Sequence, residues 1–383
     1  MKEVRFGIIG LGSMGTHHAR YLINNKIKGA RLTAVADINP EKLRWAEESG
    51  IQSFTDENAF YCSGLFDAVL IATPHYHHPP IAIKAFEHGL NVLSEKPAGV
   101  YTKQVREMNE KAEESKQVFS IMFNQRTNPL YQKLRELIQS GELGQLKRIN
   151  WTITDWYRSQ SYYDSGGWRA TWKGEGGGVL INQSPHQLDL LHWITGMEPS
   201  RIRAFCYFGK YRNIEVEDEV TAFLEYKDKA TCVFTTSIGE APGTNRLEIA
   251  GDRGKAVIED GKFTFWRLRV PESEFNREYT GGFGEPECWK IDVPVTGKET
   301  GHQGITQNFV DNILYGTPLL ATGTEGIKSL AASNAMQLST WIDDWVTLPV
   351  NEDLYHQKLT EKIKQSKIGK SVSDKTLSVD GTY

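Results

Sequence analysis

The spacing of apolar positions changes part-way along the chain. Residues 4–10 form a nearly continuous apolar run, GLGSMG interrupts it, and residues 16–24 resume at a helical period. That order predicts a strand, a glycine turn and a helix. Residues 32–36 repeat the apolar run and stop at Asp37, and Pro40 suits the first turn of another helix. Further buried strands are predicted at 67–72, 91–94 and 118–123, with helices at 79–87 and 102–115 between them. Short, wholly apolar strands alternating with helices imply a parallel sheet covered on both faces, so residues 1–124 are expected to form a Rossmann-type α/β domain.

After Pro129 the pattern differs. Leu130, Leu134, Leu137 and Ile138 share one face of a predicted helix that Gly141 helps to stop. Strand-like runs then occupy 147–156, 201–208, 217–226, 230–237, 246–250, 256–259 and 263–270, with turns at 227–229, 251–254 and 260–261. Such tight turns favour antiparallel neighbours. Residues 125–347 are therefore expected to form an α+β substrate domain with a predominantly antiparallel open sheet. Its helices are predicted at 185–194, around Ile305, Phe309 and Ile313, and along Ile327, Leu330, Ala331, Asn334, Leu338 and Trp341. The charged, weakly apolar residues 348–383 read as a C-terminal extension on the surface or at an oligomer contact.

Composition narrows the functional classes. The 383 residues are 39% hydrophobic and 24% charged, enough to fill more than one core. With 44 Lys+Arg against 48 Asp+Glu, the chain has no broad positive field, so neither nucleic acid nor membrane is expected as a partner. The beginning lacks the pattern of an export signal, and no apolar stretch is long enough to span a bilayer. Cys62, Cys206, Cys232 and Cys288 are scattered, without disulfide-framework or metal spacing. They read as reduced thiols, fitting a cytoplasmic location, and no metal is expected.

Gly10, Gly12 and Gly15 make a GxGxxG turn between a predicted strand and helix. There the first glycine permits the tight turn, the second clears space for a diphosphate and the third allows close helix packing. Leu11, Ser13 and Met14 complete the loop, whose main-chain N–H groups at the helix start suit a negative diphosphate. Asp37, at the end of the second strand, can accept hydrogen bonds from an adenosine ribose. No arginine follows at Ile38 or Asn39 to balance a 2′-phosphate, so NAD is preferred, with NADP the less favoured nicotinamide. His186, on the predicted helix 185–194, is the candidate for proton exchange.

GLGSMG, ATPHYHHPPIAIKAFEHGLNVLSEKP and GGGVLINQSPHQLDLLHWITG, in this order, resemble the glucose-fructose oxidoreductase/inositol dehydrogenase (Gfo/Idh/MocA) family over residues 3–345. The resemblance implies a nicotinamide-dependent oxidoreductase acting on a ring hydroxyl or ketone of a sugar, glycoside or cyclitol, assembled as a homo-oligomer. It implies that Lys96 of EKP orients the reacting oxygen and that His186 takes its proton. Glu95, Lys96, Thr73, Pro74 and His78 are then expected beside the nicotinamide and its ribose. The more common GGG…DxGxH form is altered, because Asn182 stands at the usual Asp position and Ser184 at a usual Gly. Asn182 can orient a hydroxyl but carries no carboxylate charge. Arg126, Tyr163, Trp168, Arg169, Asn182 and Asp189 are the expected substrate contacts, through guanidinium binding to oxygens and aromatic packing on a sugar ring. Two competing readings are an NAD-assisted glycosidase and a nucleotide-dependent regulator.

Overall fold

The computed structural model describes residues 3–366. Strands β1 (Val4–Ile9), β2 (Ala30–Ala36), β3 (Gln52–Phe54), β4 (Ala68–Ile71), β5 (Asn91–Ser94) and β6 (Phe119–Ile121) form one sheet in the order β3-β2-β1-β4-β5-β6. Every neighbouring pair in it is parallel. Strand order reverses between β1 and β4, so the loops that follow them part at their carboxyl ends and leave a crevice. β4 is buried at all four positions, as expected of a strand covered on both faces.

Helices Ser13–Ile23, His78–Glu87 and Thr102–Ser115 cover this sheet, together with a helix from much later in the chain, Gly301–Tyr315. Phe309 meets Phe6 with ring centroids 6.0 Å apart, and Ile305, Val310, Ala321 and Leu330 belong to the same apolar core. The boundary at 125–347 is therefore corrected. Part of the later segment returns to complete the first domain, because its apolar stripe covers a sheet face the earlier helices leave open.

The second sheet runs β14-β13-β12-β11-β7-β10-β9-β8-β15. In chain order its strands are β7 (Leu146–Ile153), β8 (Pro199–Phe208), β9 (Glu217–Tyr226), β10 (Thr231–Ser237), β11 (Asn245–Gly251), β12 (Gly254–Glu259), β13 (Lys262–Leu268), β14 (Cys288–Ile291) and β15 (Val346–Thr347). β7 and β10 pair in parallel, and the other pairs are antiparallel. Helix Gly326–Ile342 packs on one face, where Ser339 and Thr340 accept hydrogen bonds from the main chain of Ala204 and Cys206. The exposed side chains of Phe205 and Tyr207 lie in alternate positions of β8, as a sheet with one uncovered face requires.

The C-terminal extension is not wholly a surface segment. Residues Glu352–Gln365 form a helix that buries Tyr355 and Leu359 in the second core, and the Tyr355 hydroxyl donates to Gln337 Oε1 at 2.5 Å. Arg106–Glu352 and Lys103–Asp353 ion pairs join that helix to Thr102–Ser115. Partly buried Leu354 and Ile363 pack on the same core, so the helix has an apolar face although the segment as a whole is strongly charged. The reading of 367–383 lies outside the described residues. Among the described residues, no helix is long and apolar enough to cross a membrane.

Candidate functional site

The glycine turn is shaped by contacts that exclude side chains. Gly10 adopts φ +90°, and a Cβ there would lie 2.7 Å from the Ala72 carbonyl oxygen. A Cβ on Gly15 would fall 1.8 Å from the Gly10 carbonyl oxygen. Around Gly12, by contrast, there is no heavy atom within 4 Å of a built Cβ, so two glycines permit backbone packing and the middle one borders open space. Leu11 N donates to Asp37 Oδ2 at 2.7 Å, and Asn39 N donates to Asp37 Oδ1 at 2.9 Å. These bonds pin the carboxylate beside the turn while leaving lone pairs for another donor. Ser13 and Met14 begin the helix, with no side-chain cap bond at Gly12. The open space at Gly12, the helix start and the pinned carboxylate fit a dinucleotide.

Glu95 and Lys96 follow β5. Glu95 Oε1 receives a hydrogen bond from buried His18 Nε2 at 2.6 Å, and His18 Nδ1 lies 2.5 Å from the Tyr21 hydroxyl. Tyr21 reaches Thr306 Oγ1 at 2.7 Å, and His302 Nε2 stands 4.0 Å from Glu95. Burial alone would raise the Glu95 pKa, but His18, His302 and Lys96 outweigh it and hold the carboxyl at about 2. Glu95 is thus a fixed anion braced by two helices. His18, Tyr21 and His302 were missed from the sequence, whose only hint was the HH pair on the helix after the turn.

The second domain is pressed against Lys96 by the glycine run. A Cβ on Gly176 would lie 2.2 Å from Val100 Cγ1, and one on Gly178 would lie 2.0 Å from the Glu217 carbonyl oxygen. This close approach carries the short helix Val179–Asn182 to the cleft, where Lys96 Nζ donates to the Asn182 main-chain oxygen at 2.7 Å. That contact does not depend on which side chain occupies position 182. The Asn182 amide donates to Glu175 Oε1, and Glu175 Oε2 accepts from Ala170 N at 2.5 Å. A buried carboxylate therefore stands beside the asparagine. Glu175 was missed by sequence reading; the signal was one acid within an otherwise glycine-rich run.

Glu217 supports the same run. Its Oε1 accepts from Gly178 N at 2.9 Å and Leu180 N at 3.3 Å, while burial pushes its carboxyl up to about 7. Below the ordinary carboxyl pKa the group is protonated whether the chain is folded or unfolded. As pH rises toward 7 the unfolded chain releases this proton while the folded carboxyl resists, so the contribution to stability is lost across that window. Glu217→Gln should remove this dependence. Urea unfolding at about pH 4 and pH 8 should show the wild-type-minus-variant stability difference falling by on the order of 3 kcal/mol.

His186 lies on helix Pro185–Thr195, one turn beyond Asn182, and its ring meets Phe123 edge-on at 6.3 Å. Its buried Nδ1 has no hydrogen-bond partner among the described residues. Burial, then Lys96 and His302, push its pKa well below the usual histidine value. Burial also lowers Lys96, to about 8. Near neutral pH the pair is therefore a mostly charged donor and a neutral acceptor.

Several expected contacts are corrected. Arg126 Nε and Nη2 donate to Asp189 at 2.8 and 2.6 Å, and Nη1 also pairs with Glu325 at 2.7 Å. Both partners of the first pair are buried, so Arg126 and Asp189 neutralise one another instead of facing a substrate. Tyr163 is only 1% exposed, with its ring in the second core; the preceding Tyr162 takes the cleft position. His78 is buried between two loops, its ring nitrogens 2.7 Å from the Pro97 and Thr73 carbonyl oxygens, and so ties those loops together instead of presenting an edge to a cofactor. Thr73 and Pro74 remain at the end of β4. Trp168 and Arg169 flank the cleft: Trp168 meets His75 edge-on at 5.3 Å, and Arg169 lies 4.6 Å above Trp168.

A Rossmann domain with a nucleotide turn, joined to a mixed open sheet that places a lysine and a histidine together, defines the class of two-domain nicotinamide-binding proteins. Residues 4–123 match the family described as "Oxidoreductase family, NAD-binding Rossmann fold", and residues 131–257 match "GFO/IDH/MocA C-terminal domain". The chain belongs to the Gfo/Idh/MocA family. It is similar to an inositol 2-dehydrogenase of Corynebacterium glutamicum, with 31% identity over 201 residues covering 51% of this chain and 55% of that enzyme. The alignment thus spans little over half of that relative. A scyllo-inositol 2-dehydrogenase (NAD(+)) of Bacillus subtilis is 27% identical over 266 residues, covering 67% of this chain and 74% of that enzyme. Among solved structures, the WlbA dehydrogenase of Chromobacterium violaceum in complex with NADH and UDP-GlcNAcA aligns with TM-score 0.78 and 26% identity, covering 92% of this chain and 97% of that one.

Proposed function

We propose that this protein is an NAD-dependent dehydrogenase that oxidises a ring hydroxyl of a sugar, glycoside or cyclitol, or reduces the corresponding ketone. The observation carrying this reading is the clamp of Lys96, from the nucleotide domain, on the main-chain oxygen of Asn182, one turn before His186 in the second domain. Bound NAD would supply the acceptor for the hydride leaving the carbinol carbon. Lys96 holds and polarises the carbinol oxygen, and His186 receives its proton. In the reverse direction His186 returns that proton to the ketone oxygen. Glu95 is poised for the nicotinamide ribose, and Asp37 for the adenosine ribose. NAD is preferred over NADP because a 2′-phosphate would approach the Asp37 carboxylate, with Ile38 and Asn39 offering no compensating cation.

The test is substrate-dependent nicotinamide reduction across a panel of sugars, glycosides and cyclitols, read at its absorbance, with products separated by chromatography. At least one ring alcohol should give the matching ketone without cleavage of a glycosidic bond. Cleavage as the main outcome would favour the glycosidase reading, and no redox turnover across the panel would defeat the proposal. Asp37→Ala should narrow the NAD-over-NADP preference by about tenfold or more, measured by titrating both reduced nicotinamides; an unchanged preference would remove Asp37 from this role.

A further inference from the structure

Helix Gly326–Ile342 buries two amides, Asn334 and Gln337, three positions apart and so on one face. Every polar side-chain atom of both has a partner. Asn334 Nδ2 donates to the Val100 carbonyl oxygen at 3.0 Å, and its Oδ1 accepts from Thr102 N at 3.2 Å. These two groups belong to the loop that leads from Lys96 to the next helix. Gln337 faces the second domain instead, donating from Nε2 to Glu217 Oε1 and Oε2 at 3.2 and 3.3 Å. One helix face thus grips the chain on both sides of the contact between Lys96 Nζ and the Asn182 main-chain oxygen.

The Gln337 amide is held in one orientation. A charged Glu217 can only accept, so the amide nitrogen must face it and the amide oxygen must face the other way, where the Tyr355 hydroxyl donates to it. Tyr355 comes from the C-terminal helix Glu352–Gln365, and its ring stacks on Trp341, one turn beyond Gln337, with centroids 5.4 Å apart. On the far side, Glu217 Oε1 accepts from Gly178 N and Leu180 N, donors that the start of helix Val179–Asn182 leaves unpaired within itself. A Cβ on Gly177 would lie 2.5 Å from Gln337 Nε2, so the amide reaches the carboxylate through a gap that a side chain would close. The bonds run without interruption from Tyr355 through Gln337, Glu217 and the 178–182 turn to Lys96, and the first three side chains are wholly buried. Deprived of the phenolic hydroxyl, the Gln337 oxygen would be a buried acceptor with no donor, and rotation to find one would withdraw the N–H from Glu217.

We propose that Gln337 and Tyr355 are positioning residues for Lys96. The C-terminal helix sets the amide, the amide sets Glu217, and Glu217 sets the turn whose main-chain oxygen fixes the ammonium group. This inference rests on the dehydrogenase reading for what Lys96 does. It extends that reading by giving the C-terminal helix a part in the reaction, although both side chains are sealed from solvent.

The experiment compares Tyr355→Phe and Gln337→Met with Leu359→Ala, a buried apolar residue of the same C-terminal helix that takes no part in these bonds. Hydrogen exchange of the full chain at about pH 8, where Glu217 is mostly charged, reads the turn without any turnover. The Gly178 and Leu180 amides should exchange about fivefold or more faster in the first two variants, relative to strand β10 of the same molecule, and Leu359→Ala should leave that ratio unchanged. Steady-state kinetics on the best substrate of the panel should show kcat down about tenfold in Tyr355→Phe and Gln337→Met, with KM and NADH affinity nearly constant. Leu359→Ala should lower Tm at least as much while keeping kcat. In a Lys96→Ala background Tyr355→Phe should cost nothing further, because its effect passes through the lysine. Should Gln337→Met fail to fold, Tyr355→Phe, which deletes one oxygen, carries the test alone. Unchanged exchange at the turn overturns the proposal, as does unchanged kcat in a chain that turns over. So does a kcat that follows Tm across all three variants, or a loss that persists in full without Lys96. Faster exchange at the turn with no ring alcohol oxidised would keep this support for Lys96 and defeat the dehydrogenase reading.

Discussion

Lys96→Ala and His186→Ala should each lower turnover by about 10²–10⁴-fold while leaving NADH binding and the folded state in place. The expected loss is large because, on the proposed reading, the two side chains serve the same oxygen. There Lys96 would supply positive charge to the oxygen, and His186 a neutral nitrogen for the proton. Substituting either removes an interaction that strengthens as the carbon–hydrogen bond breaks, so kcat should fall more than KM rises. The double variant should be little worse than the poorer single variant, since groups acting as one unit lose most of their effect together. Single-turnover nicotinamide fluorescence and steady-state kinetics on the best substrate of the panel are the measurements. Robust turnover in both single variants would remove the pair from the chemistry.

Arg126→Met should destabilise the protein by about 3–5 kcal/mol, because Asp189 would be left buried without its counter-charge. The Arg126 guanidinium also stands 5.5 Å from the Phe123 ring centroid and 5.4 Å from that of Trp193, so the pair joins the end of the first domain to the helix carrying His186. Asp189 shows the strain of this location: burial raises its pKa despite the opposing effect of Arg126. Thermal denaturation should show Tm falling by roughly 10 °C. Adding Asp189→Leu should recover much of the loss, since the lone buried carboxylate would be gone. A single variant as stable as the wild type would show that the ion pair is dispensable. A stable Arg126→Met protein with a selective loss of substrate affinity would instead return Arg126 to the substrate.

Much of this architecture was legible before any coordinates. Helix Thr102–Ser115 and strand β9 coincide with their predicted spans, because long runs with a clear period bury one face in only one register. Strands β3, β14 and β15 escaped notice. Gln52–Phe54 and Cys288–Ile291 lack fully buried positions, and Val346–Thr347 is too short to display alternation. Such edges are defined by the neighbour that supplies their hydrogen bonds. The candidate site divides in the same way: the nucleotide turn and Lys96 were marked by local motifs, whereas His302 and Glu175 reach the site through distant or crowded packing.

By itself the sequence determined the nucleotide turn, the parallel character of the first sheet and the candidates Lys96 and His186, because each is written in local spacing and residue chemistry. Only the tertiary structure decided that Arg126 spends its charge on Asp189, that Tyr162 rather than Tyr163 faces the cleft, and that Gly301–Tyr315 closes the first domain. A lone sequence records which side chains are able to pair or bury themselves. Which partner each one meets depends on close packing between segments far apart along the chain, where burial makes an unmatched charge or an uncovered apolar face costly.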